Sequence, residues 1–409
     1  MPAATPLPRG PSVLSLYGVA DLLTAPGCPV CRYATEASDR YLGWFALEGH
    51  SQAELMTTLC ASGGMCPRHT RGLMSQPGAA VRLTAVYRYV LTGVRDRLAD
   101  GTLSLAPCPA CQHDDAAAER ALDTLLDGLS DPAALQRCRD LGGVCLPHLQ
   151  AATGHGPRQT VADLAAITRD IVAAGPARCE WLAGTDYDAE IRLRLRQTLP
   201  ASSSLVTDPC AACLATAQAE RDGIARAAVA ADRNLDGPGE GRALCAGHLA
   251  DAVEASSPGQ RRALLEWQLG RLGEGGKPLA EGIVTRAAHW LRPGAFRGRS
   301  ADCLVCRDSR TAALQVLSSV RMEAHGTSQA NCQLCLRHWA TLTDNYRRAS
   351  RALTRDSIAA ADELAGELAD AFEQTTWAAR QDTARAPEST AWRKAAAFLD
   401  GGIFLGLCR

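Results

Sequence analysis

Apolar residues along this chain recur at intervals of three and four rather than in alternation, which predicts amphipathic helices. The cleanest stripe is Ala118, Ala121, Leu122, Leu125, Leu126 and Leu129. Tyr33, Ala34, Ala37, Tyr41, Trp44 and Phe45 make a second, and Ala313, Val316, Leu317 and Val320 a third. A weaker one, Leu214, Ala217, Ile224 and Ala228, crosses Gly223. Shorter helical segments follow, over 51–61 and 131–139; the second opens on Ser130-Asp131-Pro132, a helix-start signal. Leu83, Val86, Tyr87, Val90, Leu91, Val94 and Leu98 mark another helix, and the chain reads as one long helical stretch over 346–380. Gly/Pro breaks fall at Pro77-Gly78, Gly156-Pro157 and Pro258-Gly259, and linkers over 99–105, 200–207 and 293–300. The glycines over 237–241 and at 275–276 lack the setting of a phosphate loop and read as turns. The expected fold is all-α.

Each long stripe begins directly after a Cys-x-x-Cys pair, and each pair is answered downstream by a Cys-x-x-His. Cys28 and Cys31 are followed by Cys66 and His69, and Cys108 and Cys111 by Cys145 and His148. Cys210 and Cys213 are followed by Cys245 and His248, and Cys303 and Cys306 by Cys335 and His338. Gly-Gly precedes the answering pair in the first two sets, at Gly63-Gly64 and Gly142-Gly143. The spacing divides the chain into four helical units, 1–100, 101–200, 201–300 and 301–409, each carrying one site.

A CxxC bites one ion with two sulfurs, and a CxxH with one sulfur and one imidazole nitrogen. The gaps between the second cysteine and the answering one are 34, 33, 31 and 28 residues, whereas those from each histidine to the next CxxC are 38, 61 and 54. The uniform gaps predict that each set closes on itself, with pairing of His69 to Cys108 the one competitive alternative. A helix over 31–48 is about 27 Å long, and residues 49–65 can return over that span as a short helix plus extended chain. Both ligand pairs would then lie at helix amino termini, whose partial positive charge favours thiolate.

Three thiolates and a neutral histidine are a common closed set for structural zinc, so four zinc ions per chain are expected. Filling them takes the formal charge from −1 to −5. Iron–sulfur motifs group their cysteines more tightly, and a redox CPxC needs a thioredoxin-like βαβ setting. Cys60 and Cys138, in corresponding places, read as small buried apolar residues. Cys332 makes Cys332-Gln333-Leu334-Cys335 a second CxxC that competes with His338, although register with the other sets favours the histidine. His113 could stand in as a ligand but reads as exposed; Cys179 and Cys408 have no assignable partner, and His50, His155, His289 and His325 read as ordinary histidines. Asp39-Arg40, Glu119-Arg120 and Glu220-Arg221 recur after three CxxC motifs and read as solvated ion pairs.

Composition narrows the function. Apolar residues are 46% against 21% charged, enough for a core, and a formal charge of −1 gives no field that would draw nucleic acid or an anionic membrane. All basic residues except Lys277 and Lys394 are arginine, spread rather than clustered. The short apolar run over 13–23 is a poor signal peptide, and no stretch is long enough to span a membrane, so a cytoplasmic protein is expected.

Cys28-Pro29-Val30-Cys31-Arg32, Asp39-Arg40-Tyr41-Leu42 and Gly64-Met65-Cys66-Pro67-Arg68-His69 resemble a bacterial family of CPxC…GxCxxH zinc-binding helical repeat proteins, as does the tail over 391–401. The likeness covers essentially the full chain, with the third unit, which lacks proline in its CxxC, the most divergent. The resemblance implies metal binding and brings no activity. No HExxH, GxSxG or other nucleophile–base motif is present. The expected function is therefore a non-catalytic zinc-binding scaffold or regulator whose partner is another protein. The alternatives are a metalloenzyme or maturation partner with one opened site, in the fourth unit, and a thiol-based redox or metal sensor.

Overall fold

The computed structural model describes residues 13–76, 79–101, 103–174, 210–232, 244–274, 303–323, 334–346, 351–374 and 391–401. These form sixteen α-helices and one short 3-10 turn, with no strand among the described residues. In chain order they are α1 (Val13–Leu22), α2 (Pro29–Leu47), α3 (Ala53–Ala61), α4 (Pro67–Met74), α5 (Ala79–Ala99), α6 (Pro109–Gly128), α7 (Pro132–Leu141) and α8 (Leu146–His155). There follow α9 (Arg158–Ala174), α10 (Ala211–Asp232), α11 (Ala246–Ala255), α12 (Pro258–Glu274), α13 (Leu304–Glu323), α14 (Leu336–Tyr346), α15 (Arg351–Gln374) and α16 (Ala391–Asp400). The all-α expectation holds.

The predicted stripes become core where they were cleanest. Every member of the α6 stripe is buried, and so is every member of the α5 stripe from Leu83 to Leu98. Asp131 caps α7 as expected, its side chain accepting from Ala134 N at 3.0 Å with Pro132 at the first helical position. The stripe through Leu214 is corrected, since Leu214 is 43% exposed. The inward face of α10 is instead set by Cys213, Thr216 and Gly223, all buried. A Cβ at Gly223 would come within 3.1 Å of Val305, so this glycine is a close approach and not a break. The long stretch expected over 346–380 contains α15, Arg351–Gln374, and residues 347–350 and 375–380 lie outside the described residues. The linkers over 200–207 and 293–300 and the glycine turns at 237–241 and 275–276 lie outside the described residues.

The described residues gather into two compact units, each assembled from separated stretches of chain. The first takes those within 1–37, 114–186 and 224–304. In it α1 packs on α7, α8 on α9, and α12 on α8, α9 and α11. Arg137 Nε donates to Leu23 O at 2.7 Å and Gly27 N to Leu141 O at 3.0 Å, tying the chain ahead of α2 to α7. The second unit takes residues within 38–113, 187–223 and 305–409. Its core is one apolar cluster in which α5 lies along α15, with α3, α14 and α16 packed around them. Sequence repeat and compact unit are thus different divisions of the chain. No helix among the described residues is long and apolar enough to cross a membrane.

Candidate metal centres

Each ligand pair is built by the first turn of a helix. Cys66, Cys145 and Cys245 each precede a helix in extended conformation, with φ −68, −69 and −71°. Their carbonyls accept the first helical hydrogen bonds, from Thr70, Leu149 and Leu249. The first cysteines of the CxxC pairs do the same, Cys28 accepting from Arg32, Cys108 from Gln112 and Cys210 from Leu214. The partner residue three places on lies one turn away on the same side. This is the spacing of a capping box, in which cap and third helical residue face each other. No side-chain capping bond forms at Cys66, Cys145 or Cys245, so the side chains remain turned to one another. Proline at the first helical position after Cys28, Cys66 and Cys108 removes an N–H that would have no helical partner.

The pairs come together in fours, but across sets. Site A joins Cys28 and Cys31 to Cys145 and His148; site B joins Cys66 and His69 to Cys108 and Cys111. Site C joins Cys210 and Cys213 to Cys335 and His338; site D joins Cys245 and His248 to Cys303 and Cys306. In each site the four ligand atoms lie within 4.8 Å of one another. All sixteen residues expected as ligands are in these clusters. What is overturned is that each set closes on itself. The pairing is nested: each half of the chain has an outer site, A or C, and an inner one, B or D. The alternative pairing of His69 with Cys108 is the one adopted, and it is the rule throughout.

The reason lies in the return segment. Helix α2, of 19 residues, rises about 28 Å, and α3, of nine, only about 13 Å. The remaining distance was to be covered by extended chain. Instead the glycines fold it back, Gly63 N donating to Cys60 O at 3.0 Å and Gly64 N to Leu59 O at 2.9 Å. In the second set Gly142 N donates to Arg139 O at 3.1 Å and Gly143 N to Cys138 O at 2.8 Å, after the ten-residue α7. The answering pair cannot regain the end of the long helix from which the chain set out. The uniform gaps measure a spacer between two sites, not a loop closing one.

The donor geometry fits a tetrahedral ion. In site A, Nδ1 of His148 is 3.4, 3.4 and 3.0 Å from the sulfurs of Cys28, Cys31 and Cys145, and the Cys31 and Cys145 sulfurs are 3.6 Å apart. In site B, His69 Nδ1 is 3.2, 3.7 and 3.4 Å from Cys66, Cys108 and Cys111, with Cys66 and Cys111 3.6 Å apart. Site C repeats this, with His338 Nδ1 3.5, 3.3 and 3.2 Å from Cys210, Cys213 and Cys335, and Cys213 3.6 Å from Cys335. In site D, His248 Nδ1 is 3.3 Å from Cys245 and 3.5 Å from Cys303. Zinc–ligand bonds of about 2.3 Å to sulfur and 2.0–2.1 Å to nitrogen, set tetrahedrally, separate neighbouring ligands by roughly 3.6–3.8 Å. A disulfide would bring the sulfurs to about 2.05 Å, and all ligand cysteines are free thiols.

The electrostatics call for a cation. Hydrogen bonds from Cys145 and Cys28 hold the Cys31 thiol well below its ordinary value, and those from Cys108 and Cys111 do the same for Cys66. Burial, then hydrogen bonding to Cys28 and Cys31, drives Cys145 the other way. Burial pulls the His148 imidazole down, but the Cys31 and Cys28 sulfurs outweigh it and raise the group to about 10. Three buried sulfurs and one imidazole thus compete for protons that a divalent ion would replace, letting all three sulfurs ionise beside two helix amino termini.

Polar residues other than the ligands hold the ligand turns, and sequence spacing gave no sign of them. Gln268, 2% exposed, brackets the residue before Cys245, donating to Leu244 O at 2.9 Å and accepting from Leu244 N at 3.0 Å. Arg337 Nη2 donates to Met65 O, beside Cys66, at 2.9 Å. Cys138 is buried beside site A, its thiol pushed up to about 12 by burial, and Cys60 is half-buried; neither is a member of a cluster. His113 is not in a cluster either, and stacks on Tyr41 with ring centroids 4.7 Å apart. His338 takes the fourth position of site C; Cys332, like Cys179, Cys408, His289 and His325, lies outside the described residues.

Comparison of the chain with protein-family models, curated proteins and solved structures finds no match to any of them.

Proposed function

We propose that this is a non-catalytic helical protein held together by four structural zinc ions, acting in the cytoplasm as a scaffold or regulator of another protein. One observation supports the structural role above others: each cluster supplies four ligands from the chain, which fills a tetrahedral shell and leaves no position for a substrate. Bound zinc would supply cross-linking, joining two helix amino termini that lie far apart in sequence. Its resemblance to the bacterial CPxC…GxCxxH family favours the same metal-binding reading.

The test is metal analysis of the purified chain combined with thiol alkylation. The expected result is four zinc per chain, twelve ligand thiols protected, and no visible absorption. A strong chelator should then abolish helicity and cooperative melting, since a structural zinc site contributes about 10–16 kcal/mol against about 5–15 kcal/mol for a whole domain. Colour would favour iron–sulfur; three tight ions and one exchangeable ion would favour a sensor or an enzyme. Unchanged circular dichroism after verified metal removal would refute the structural role, and pull-down with mass spectrometry identifies the partner.

A further inference from the structure

The second unit holds sites B and C, and a polar chain runs between them. Arg337 sits between two ligands of site C, Cys335 and His338. Its Nε donates to Asp400 Oδ1 at 2.7 Å, and its Nη2 reaches Met65 O, the residue before the first ligand of site B. Thr70, the residue after His69, donates through Oγ1 to Asp400 Oδ2 at 2.7 Å, and the same oxygen lies 3.2 Å from Met65 O. Asp400 is 1% exposed and ends α16, so both oxygens of one buried carboxylate are used, one by the ligand turn of each site.

Apolar packing follows the same line. A Cβ on Gly63 would come within 3.0 Å of Leu336, which follows the site C ligand Cys335, and one on Gly64 within 3.6 Å of Leu399 on α16. The chain ahead of Cys66 is therefore closely packed against Leu336 at Gly63 and lies near α16 at Gly64.

We propose that loading of sites B and C is positively coupled, with Arg337 and Asp400 as positioning residues and α16 as the clamp that both filled sites hold in place. This rests on the metal-binding reading above. The geometry gives the coupling a direction. Opening site C releases the turn that carries Arg337, which frees Asp400 and withdraws the donor from Met65 O, so the Cys66 turn loses the contact that fixes it. By linkage the effect is reciprocal.

The experiment uses the full zinc-loaded chain. Cys213→Ser opens site C; a brief chelator challenge followed by iodoacetamide and peptide mass spectrometry then reads labelling at Cys66 and Cys108. Coupling of ordinary size predicts a rise of about 5–150-fold in their labelling rate. Opening site A with Cys28→Ser should leave them at the parental rate. Cys60, half-buried in α3 of the same unit and outside the polar chain, should not change. In an Arg337→Met/Asp400→Leu background, which replaces the pair by apolar groups and keeps every ligand, Cys213→Ser should no longer raise Cys66 labelling.

No rise in the parental chain overturns the proposal, as does an equal rise in the double variant. A parallel rise at Cys60 also overturns it, since it signals unfolding of the unit as a whole. Metal analysis before labelling separates the two readings: a chain without metal overturns the metal reading and this proposal together, whereas four ions released independently overturn this proposal alone.

Discussion

The crossed pairing can be tested with one substitution. Cys31→Ser removes a ligand of site A, and the structure says that the other thiols released are Cys28 and Cys145, 114 residues from the altered position. A structural zinc site is worth about 10–16 kcal/mol apparent, so one ligand of four carries on the order of 2.5–4 kcal/mol. At about 1.4 kcal/mol per tenfold, metal should leave site A on the order of 10²–10³ times faster than from the intact protein. The three cysteines of site A are all buried, so their labelling reports opening rather than resting exposure. Pulsed alkylation with isotopically distinct reagents, read peptide by peptide, should show Cys28 and Cys145 gaining label together while Cys66, Cys108 and Cys111 stay protected. Label appearing at Cys66 with Cys28 would mean that the sets close on themselves and would refute the nested arrangement. Label at Cys28 alone would show that Cys145 holds its metal without this partner.

Burial raises the Asp400 carboxyl to about 6 despite Arg337 beside it, so the folded state holds this proton more tightly than the unfolded chain does. Stability from this group is accordingly present at low pH and lost as pH rises from about 4 to about 6, by about 3 kcal/mol in all. Denaturant melts of the parent and of Asp400→Asn at fixed zinc should show the difference between them changing over that window and flat above it; a constant difference would contradict the assignment. Arg337→Met leaves the carboxylate buried without its partner and should cost about 3 kcal/mol at neutral pH, the low end for a broken buried pair because Arg337 is part exposed. Gly63→Ala and Gly27→Ala separate backbone strain from crowding. Both glycines have positive φ, +64° and +99°, but a Cβ at position 63 would also lie 2.8 Å from Leu105 and 3.0 Å from Leu336, whereas nothing lies within 4 Å of one at position 27. Each should lose about 1–2 kcal/mol to conformation, and Gly63→Ala a further 1–3 kcal/mol or so to overpacking, read as melting midpoints.

How much of this was legible in the sequence depended on the range of the interaction. Motif residues and helix starts are local: a cysteine at the cap and a cysteine or histidine three residues on, often with proline between, set both the helix and the side the pair faces, and all sixteen members of the four clusters could be read. Burial of a whole stripe could be read where, as in α6, every apolar position faces the same way. Pairing could not be read, because it turns on whether residues 62–65 run extended or fold back. Gly63-Gly64 announces a turn without giving its reach. The supports of the ligand turns were equally silent. Gln268, Arg337, Thr70 and Asp400 are ordinary polar residues in sequence, and only the approach of distant helices gives them work. Leu214 misled because its spacing to Ala217 and Ala228 is helical, while the direction of α10 is dictated by the sulfur of Cys213.

The nested order also bears on synthesis. A chain growing from its amino end exposes Cys66 and His69 long before Cys145 and His148, so the earliest partners on offer to Cys28 and Cys31 are the wrong ones. Site B can close as soon as Cys111 has emerged, withdrawing those competitors, and site A waits for a pair still to be made. Helix α2, once wound, keeps its starting cysteines at the opposite tip from the growing chain. The rod that bears the ligands is in this sense also what postpones their capture.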